Sequence, residues 1–532
     1  MNSMTKELSK EERVIAKAMQ PSLIDKVVGY FDPVKGLKRQ QARAVSAITG
    51  SYTGASRKGS WARSWITPQN DATNDLHPDL PTLRNRCRDL VRNNPVASGA
   101  VSTVVTNVVG TGLTVQCNID SDYLGLTEEQ TEDWQANTER EWKLYSESKN
   151  CDLTRKQNFA GLQALAFRSS LENGDSFAVL PDKSVPGFPY TTRVQLIESD
   201  QVCNKDSKPD SKNCAGGIVI DDNGAPQKIQ IMTTHPGSSN RERKWTEIDI
   251  HGSRTGRLGV IHLVEYLRIG QLRGAPYLAP VIEPLKQISR YTEAELMAAV
   301  VSGLFTVFIK SEGGQGAMLG GADIDNTAQD QAQSRDYELG NGMIIEGLPG
   351  DSIETINPGR PNDSFDPFVQ AIFKQIGVAL ELPYEVLMKA YLSSYSAARG
   401  AMLDAWRFFR KRRTWLANNF CQPVYETWLA EAVAKGRIQA PGFFENPAIR
   451  AAYTRALWHG DGPGSIDPMK EANAAEKRMS IKLTNLSQEK SAYDGGDWEQ
   501  TVRQRKKELR EGAMIEGKEP VAPEPYDPDN PQ

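Results

Sequence analysis

Residues 376–415 read IGVALELPYEVLMKAYLSSYSAARGAMLDAWRFFRKRRTW, two helical signals joined by a small polar link. Upstream of the link, Phe365, Phe368, Val369, Ile372, Ile376 and Leu380 recur at helical spacing. Pro383 has no N–H to donate and disfavours helix in the residue before it, so this run ends near Glu381. From 391 to 397 the side chains are small or hydroxylic apart from Tyr391, Leu392 and Tyr395. Downstream, Leu403, Trp406, Phe409, Leu416 and Phe420 mark a longer helix with aromatic weight on one side, bent at Pro423 and ending near 435. Six cations on this helix, Arg399, Arg407, Arg410, Lys411, Arg412 and Arg413, face a single acid, Asp404. Such a surplus calls either for the acids of a neighbouring subunit or for phosphate.

Working outward, the chain before this stretch mixes both kinds of element. Leu83, Cys87, Leu90 and Val91 form a helical stripe that Asn93, Asn94 and Pro95 interrupt, and Ala100, Val101, Val104, Val105 and Val108 line a second helix. Arginines 84, 86, 88 and 92 read as the solvated face of the first of these. A strand is expected at 113–119, a helix around Trp134 and Trp142, and another helix with Phe159, Leu162 and Leu171 that turns at Asn173-Gly174. Short strands at 176–180, 193–198, 217–220, 227–233 and 260–266 follow. The Asp221-Asp222-Asn223-Gly224 cluster between two of them is hairpin chemistry, because the longer loop and closing Glu of a calcium hand are missing.

A long helix begins near Pro280 with Ile282, Leu285, Ile288 and Leu296 on its stripe, and a second begins after Pro361. Between them lie strand-like runs at 304–309 and 342–346 and the loop GGQGAMLGG at 313–321. No Lys-Ser or Lys-Thr follows that loop, so it is no phosphate cradle. Past the central stretch, helices are expected at 467–481 and 500–510, then a proline-rich tail.

The combination GVALELPYEVL, YSAAR and WRFFRKRR resembles the lambda-type phage portal proteins. The likeness extends over 64–510 and includes RNRCRDLVRNNPVASGA from Arg84, IHLVEYLRIGQLRGAPYLAPVI from Ile261 and LPGDSIETINP from Leu348. Ser394 stands where that family usually has Asn; both residues cap helices. The resemblance implies an α+β portal fold: a basic arm (1–60), an α/β wing (61–279), two long stem helices (280–303 and 353–382), a small β-containing clip (304–352), a tunnel loop (383–398), a long helix (399–440), a helical crown (441–515) and an acidic tail (516–532). It also implies a ring, in the family a dodecamer, at one capsid vertex of the virion, assembled in the host cytoplasm. Through such a ring double-stranded DNA is packaged and ejected without sequence readout. Expected partners are the large terminase subunit, the head–tail adaptor, and the major capsid and scaffold proteins. Lys389, Tyr391, Ser393, Ser394, Tyr395, Ser396 and Arg399 are then the DNA-facing loop residues, and Arg407, Arg410, Lys411, Arg412 and Arg413 contact DNA or a neighbouring subunit.

Composition agrees with this and excludes alternatives. The 532 residues are 39% hydrophobic and 24% charged with net charge -4, which rules out a polycation that coats nucleic acid. Six cysteines are widely spaced without a C-x-x-C pair, so neither a zinc site nor a disulfide scaffold is indicated. No metal or cofactor is expected. The N-terminus is charged rather than signal-like, and the longest apolar run, 296–309, is too short to span a bilayer. Five histidines occur, none in H-E-x-x-H, and no G-x-S-x-G elbow is present. The competing class is an intracellular hydrolase whose histidine meets Ser393, Ser394 or Ser396 from afar; a basic-helix DNA-binding module is third.

Overall fold

Asn94 ends one helix and begins the next in the computed structural model, which describes residues 30, 33–34, 38, 64–65, 67–239, 243–304, 308–311, 351–354, 365–391, 394–464, 467–496 and 498–515. The chain divides into Met1–Asn70 and Asp71–Gln532, and the fold below is that of the second unit. Helix α1 (Leu80–Asn93) buries Leu80, Cys87, Leu90 and Val91. The Asn94 side chain then accepts the Ala97 N–H at 2.9 Å, and Pro95 supplies a preset φ for the first turn of α2 (Pro95–Val108). Strand β1 (Thr114–Cys117) leads to α3 (Glu128–Ser146), which opens on a reciprocal capping box between Thr127 and Gln130. Helix α4 (Phe159–Asn173) ends at Gly174 in the left-handed region, φ 89°. A Cβ there would overlap the Gly274 carbonyl, and one at Gly274 would overlap the Gly174 carbonyl, so two glycines are needed where these backbones meet.

Two antiparallel sheets face each other over a small apolar core. The first has order β3–β2–β8 from β2 (Asp175–Val179), β3 (Gln195–Ile197) and, later, β8 (Val260–Val264). The second is a meander of β4 (Cys214–Ala215), β5 (Ile218–Ile220), β6 (Pro226–Met232) and β7 (Trp245–Asp249). Phe177, Val179, Ile197, Ile218, Ile229, Ile231 and Val260 fill the space between. Asp221 accepts the N–H groups of Asn223 and Ala225, which makes the expected hairpin turn. Strands β4 and β7 were not legible in the sequence; β3, β5 and β8 are shorter than the runs expected for them, and β2 and β6 keep the expected length but start one residue earlier.

Helix α5 (Ile282–Leu304) and helix α6 (Phe365–Ala379) pack together through Tyr291, which lies against Phe365 and Phe368. Between them β9 (Phe308–Ser311) pairs with β10 (Asp351–Glu354). The first expected strand thus overlaps β9 at 308–309, and the partner of β9 is the segment 351–354. Helix α6 ends in a Schellman motif: Leu382 N donates to Gly377 O at 2.9 Å, Glu381 N donates to Val378 O at 3.3 Å, and Glu381 takes φ 53°. A short helix α7 (Tyr384–Met388), absent from the sequence expectation, precedes α8 (Tyr395–Leu416).

The helix runs through Pro423 without a break. A π segment, Ala417–Cys421, joins α8 to α9 (Gln422–Ala434), because a proline cannot donate back to the preceding turn and a wider turn absorbs the lost bond. Around α9 sits the main core. Trp142 of α3 meets Trp428, Phe159 and Tyr425 edge-on at 5.0, 5.2 and 5.4 Å between ring centres.

Helix α10 (Pro447–Thr454) is followed by β11 (Ala456–His459), which pairs antiparallel with β1, so the C-terminal segment is not wholly helical. Helices α11 (Pro468–Ser480), α12 (Leu486–Asp494) and α13 (Trp498–Ile515) complete the unit. The arm apart from residues 30, 33–34 and 38, the helix expected at 6–19, the loop at 313–321, the strand expected at 342–346, Ser393 and the tail from 516 lie outside the described residues. All six cysteines are free, and four of them, Cys87, Cys117, Cys151 and Cys421, are buried. No helix among the described residues is long and apolar enough to cross a membrane.

Candidate functional site

The polar link between α7 and α8 is clamped at both ends. Val386 and Leu387 anchor α7 in the core, and Lys389 closes it in the left-handed region at φ 55°, its N–H donating to Glu385. At the other end the Ser394 hydroxyl accepts the Ala397 N–H at 3.4 Å and caps α8, the role assigned to Asn in the resembling family. Ala405, Phe408 and Phe409 then anchor α8. Lys389, Tyr391, Ser394, Tyr395 and Ser396 are exposed. Tyr395, Ser396 and Arg399 belong to the first turns of α8 rather than to the link. Arg399 donates to the Tyr395 hydroxyl at 3.3 Å and reaches Glu471 of α11 at 3.7 Å. The Lys470 ammonium lies 5.9 Å over the Tyr395 ring.

Further along α8, the cations divide by face. Arg412 pairs with Glu265 and lies 5.3 Å over the Phe408 ring, beside Tyr277, whose hydroxyl donates to the Leu380 carbonyl at the end of α6. Arg413 donates to the carbonyls of Val108 at 3.0 Å and Asn107 at 2.8 Å, satisfying the last turn of α2. Burial lowers its pKa from the usual arginine range, with Asp461 opposing the shift. Arg407, Arg410 and Lys411 are exposed and have no ion pair among the described residues. Periodicity could have found this split, since 412 and 413 follow the buried Phe409 by three and four residues.

A second arginine cluster escaped the sequence reading. Asp175 is fully buried and receives Arg273 at 2.6 Å and Arg84 at 3.0 Å, with His262 at 3.4 Å. Burial alone would raise its pKa, but Arg273 and Arg84 hold the carboxylate well below its usual range. Arg88 bonds Asp200 and the Asn173 side chain. Arg84 and Arg88 are therefore internal ties and not the solvated face that their spacing suggested; Arg86 and Arg92 are exposed.

Glu198, Asp200 and His235 come close enough to suggest a metal centre. His235 Nδ1 accepts the Gly237 N–H at 3.0 Å, which puts the proton on Nε2, the nitrogen facing the two carboxylates. A ligand nitrogen needs a lone pair there, and Arg88 already takes Asp200. Arg88 pairs with both carboxylates, so they serve as internal ties. Among the described residues, His459 Nδ1 meets the Ser491 hydroxyl at 2.8 Å, and Gln116 holds the other ring nitrogen at 2.7 Å. This contact ties α12 to the β1–β11 ribbon and involves neither Ser394 nor Ser396.

A family model described as phage portal protein, lambda family, matches residues 58–413. Portal protein B of Escherichia phage lambda is 26% identical over 485 residues, covering 87% of this chain and 90% of that protein. The portal protein of Escherichia phage N15 is 27% identical over 483 residues, covering 87% and 90%. Among solved structures, a chain in the neck of an empty GTA particle computed with C6 symmetry covers 83% of this chain and 94% of its own length, with TM-score 0.42 and 13% identity. The chain belongs to the lambda family of phage portal proteins. It is a tailed-phage portal protein and not an enzyme.

Proposed function

We propose that twelve or so copies close into a ring at one capsid vertex, as the family resemblance implies, and that residues 389–399 face the duplex passing through it. In this reading 61–279 forms the wing, α5 and α6 the stem, 304–352 the clip and 441–515 the crown. The clip meets the large terminase subunit during packaging and the head–tail adaptor afterwards. Capsid and scaffold proteins surround the ring, which is assembled in the host cytoplasm.

One observation carries the reading: an exposed hydroxyl- and tyrosine-rich segment is clamped between two core-anchored helices. A conduit must touch DNA without holding it, since each neutralised phosphate tightens binding through counterion release. Lys389 and Arg399 are the cations here, and Arg399 is shared with Glu471. Contact is then to backbone, without base readout.

Negative-stain imaging with mass determination tests the ring. Annular particles at an integer multiple of the subunit mass are expected, and a monomer at every concentration overturns the reading. Deleting residues 393–397 should leave rings intact and lower DNA packaging or retention. Loss of folding would place this segment in the core instead.

A further inference from the structure

We infer that the exposed cationic stripe of α8 docks onto the acidic first turns of α3 in a second copy of this chain. The inference rests on the ring proposed above and names the contact that closes it.

Arg407, Arg410 and Lys411 lie three and four residues apart, so they share one face of α8. None has an ion pair among the described residues, whereas on the opposite side Arg412 pairs with Glu265 and Arg413 donates to the end of α2. Asp404, the acid of the same helix, makes no ion pair with them. Glu128, Glu129, Glu132 and Asp133 open α3 on one exposed face, also without an ion pair among the described residues. One or two acids there would complement the helix dipole; a run of four repels itself.

The two patches cannot neutralise each other within one subunit. Trp134, beside the acidic turns, donates to the Gln439 carbonyl at 2.8 Å, which fixes them just beyond the end of α9. From Lys411 to Ala434 the backbone is helical without interruption, through α8, the π segment and α9. At about 1.5 Å per residue that is roughly 30 Å. Opposite charges at separate places on one subunit are what a head-to-tail contact needs, because such a contact uses two different faces and closes by rotation. A duplex is the other possible occupant of the stripe, but it offers no explanation for the acidic turns.

Charge exchange tests the pairing. Full-length R407E/R410E/K411E and E128K/E129K/E132K each should assemble only at concentrations raised roughly tenfold or more, read by mass photometry at low salt. The melting temperature of R407E/R410E/K411E should stay near that of the parent, since these residues are exposed and without an ion pair among the described residues, while E128K/E129K/E132K should melt a few degrees lower because it sets cations at the start of α3. Mixed in equal amounts, the two should recover rings of alternating subunits, and the chain carrying all six changes should assemble alone. If the parent forms rings and both triple variants do so equally well, the inference fails while the ring stands. Rings from R407E/R410E/K411E with only DNA retention lost would assign the stripe to nucleic acid. A parent that never assembles removes both readings.

Discussion

Helices α1 and α8 look alike as strings, each a run of arginines on an amphipathic repeat, yet they use charge in opposite ways. In α1, Arg84 and Arg88 turn inward to Asp175 and Asp200, residues about ninety and more positions away in sequence. In α8, Arg412 and Arg413 turn inward to Glu265 and the end of α2, Arg399 reaches Glu471, and Arg407, Arg410 and Lys411 stay outside without an ion pair among the described residues. Charge runs do not reveal their role. What decides it is whether acids brought by the fold meet them, and what is left over marks a surface for another molecule.

The strongest test of this contrast is Asp175→Asn, which leaves Arg84 and Arg273 buried without their shared anion. A loss of roughly 3–5 kcal/mol is expected in denaturant unfolding, and a loss under ~1 kcal/mol would show that the hub is not structural. Acid titration sharpens the same point. Asp175 and Asp200 both have pKa values depressed by arginines that outweigh the upward pull of burial. Their stabilisation is therefore complete above the ordinary aspartate value of about 4 and is lost as pH falls through the lower folded values. Glu431 of α9 behaves likewise: burial would raise it, but Lys435 and the Thr191 and Thr192 N–H groups bring it from 4.5 to about 2. Glu431→Gln should remove roughly 2–3 kcal/mol at neutral pH and little near pH ~2, as pH-dependent melts would record.

Within α8 a pair of substitutions divides its faces. Arg413→Gln should cost about 1.5–2 kcal/mol through lost charge-assisted bonds to the Asn107 and Val108 carbonyls, whereas Arg410→Gln should change monomer stability by less than ~0.5 kcal/mol. Equal costs would erase the distinction drawn here. The smallest effect concerns the approach to α8. Glu381→Gly should stabilise by roughly 0.5 kcal/mol in thermal melts, because glycine takes the left-handed position without a Cβ penalty but gains disorder when unfolded.

Local periodicity made α5, α6 and α8 legible, along with the break at Pro383, since each depends on residues within a few turns. The hub at Asp175 was hidden because Asn173-Gly174-Asp175 has the composition of an ordinary turn, and its arginines arrive from both directions. Strand β11 was hidden for a similar reason: Ala456–His459 is four residues long and has strand identity only through β1. The Schellman end of α6 carries Glu rather than Gly at its left-handed position, so no glycine announced it. As for the site, the polar link and the basic helix were visible, but the link is shorter than expected. Tyr395 and Ser396 looked like loop because small and hydroxylic residues suit a helix start as well as a coil.

The β1–β11 ribbon sets a clock on synthesis. Thr114 pairs with His459, so β1 leaves the ribosome about 340 residues before its partner exists. At roughly 5–20 residues per second the wait is on the order of half a minute, during which a strand edge stands open beside an incomplete core. A truncated chain ending before Ala456 would keep that edge permanently. Quality control is thus built into chain length: a subunit that stops early carries a sticky margin in place of a finished β-ribbon.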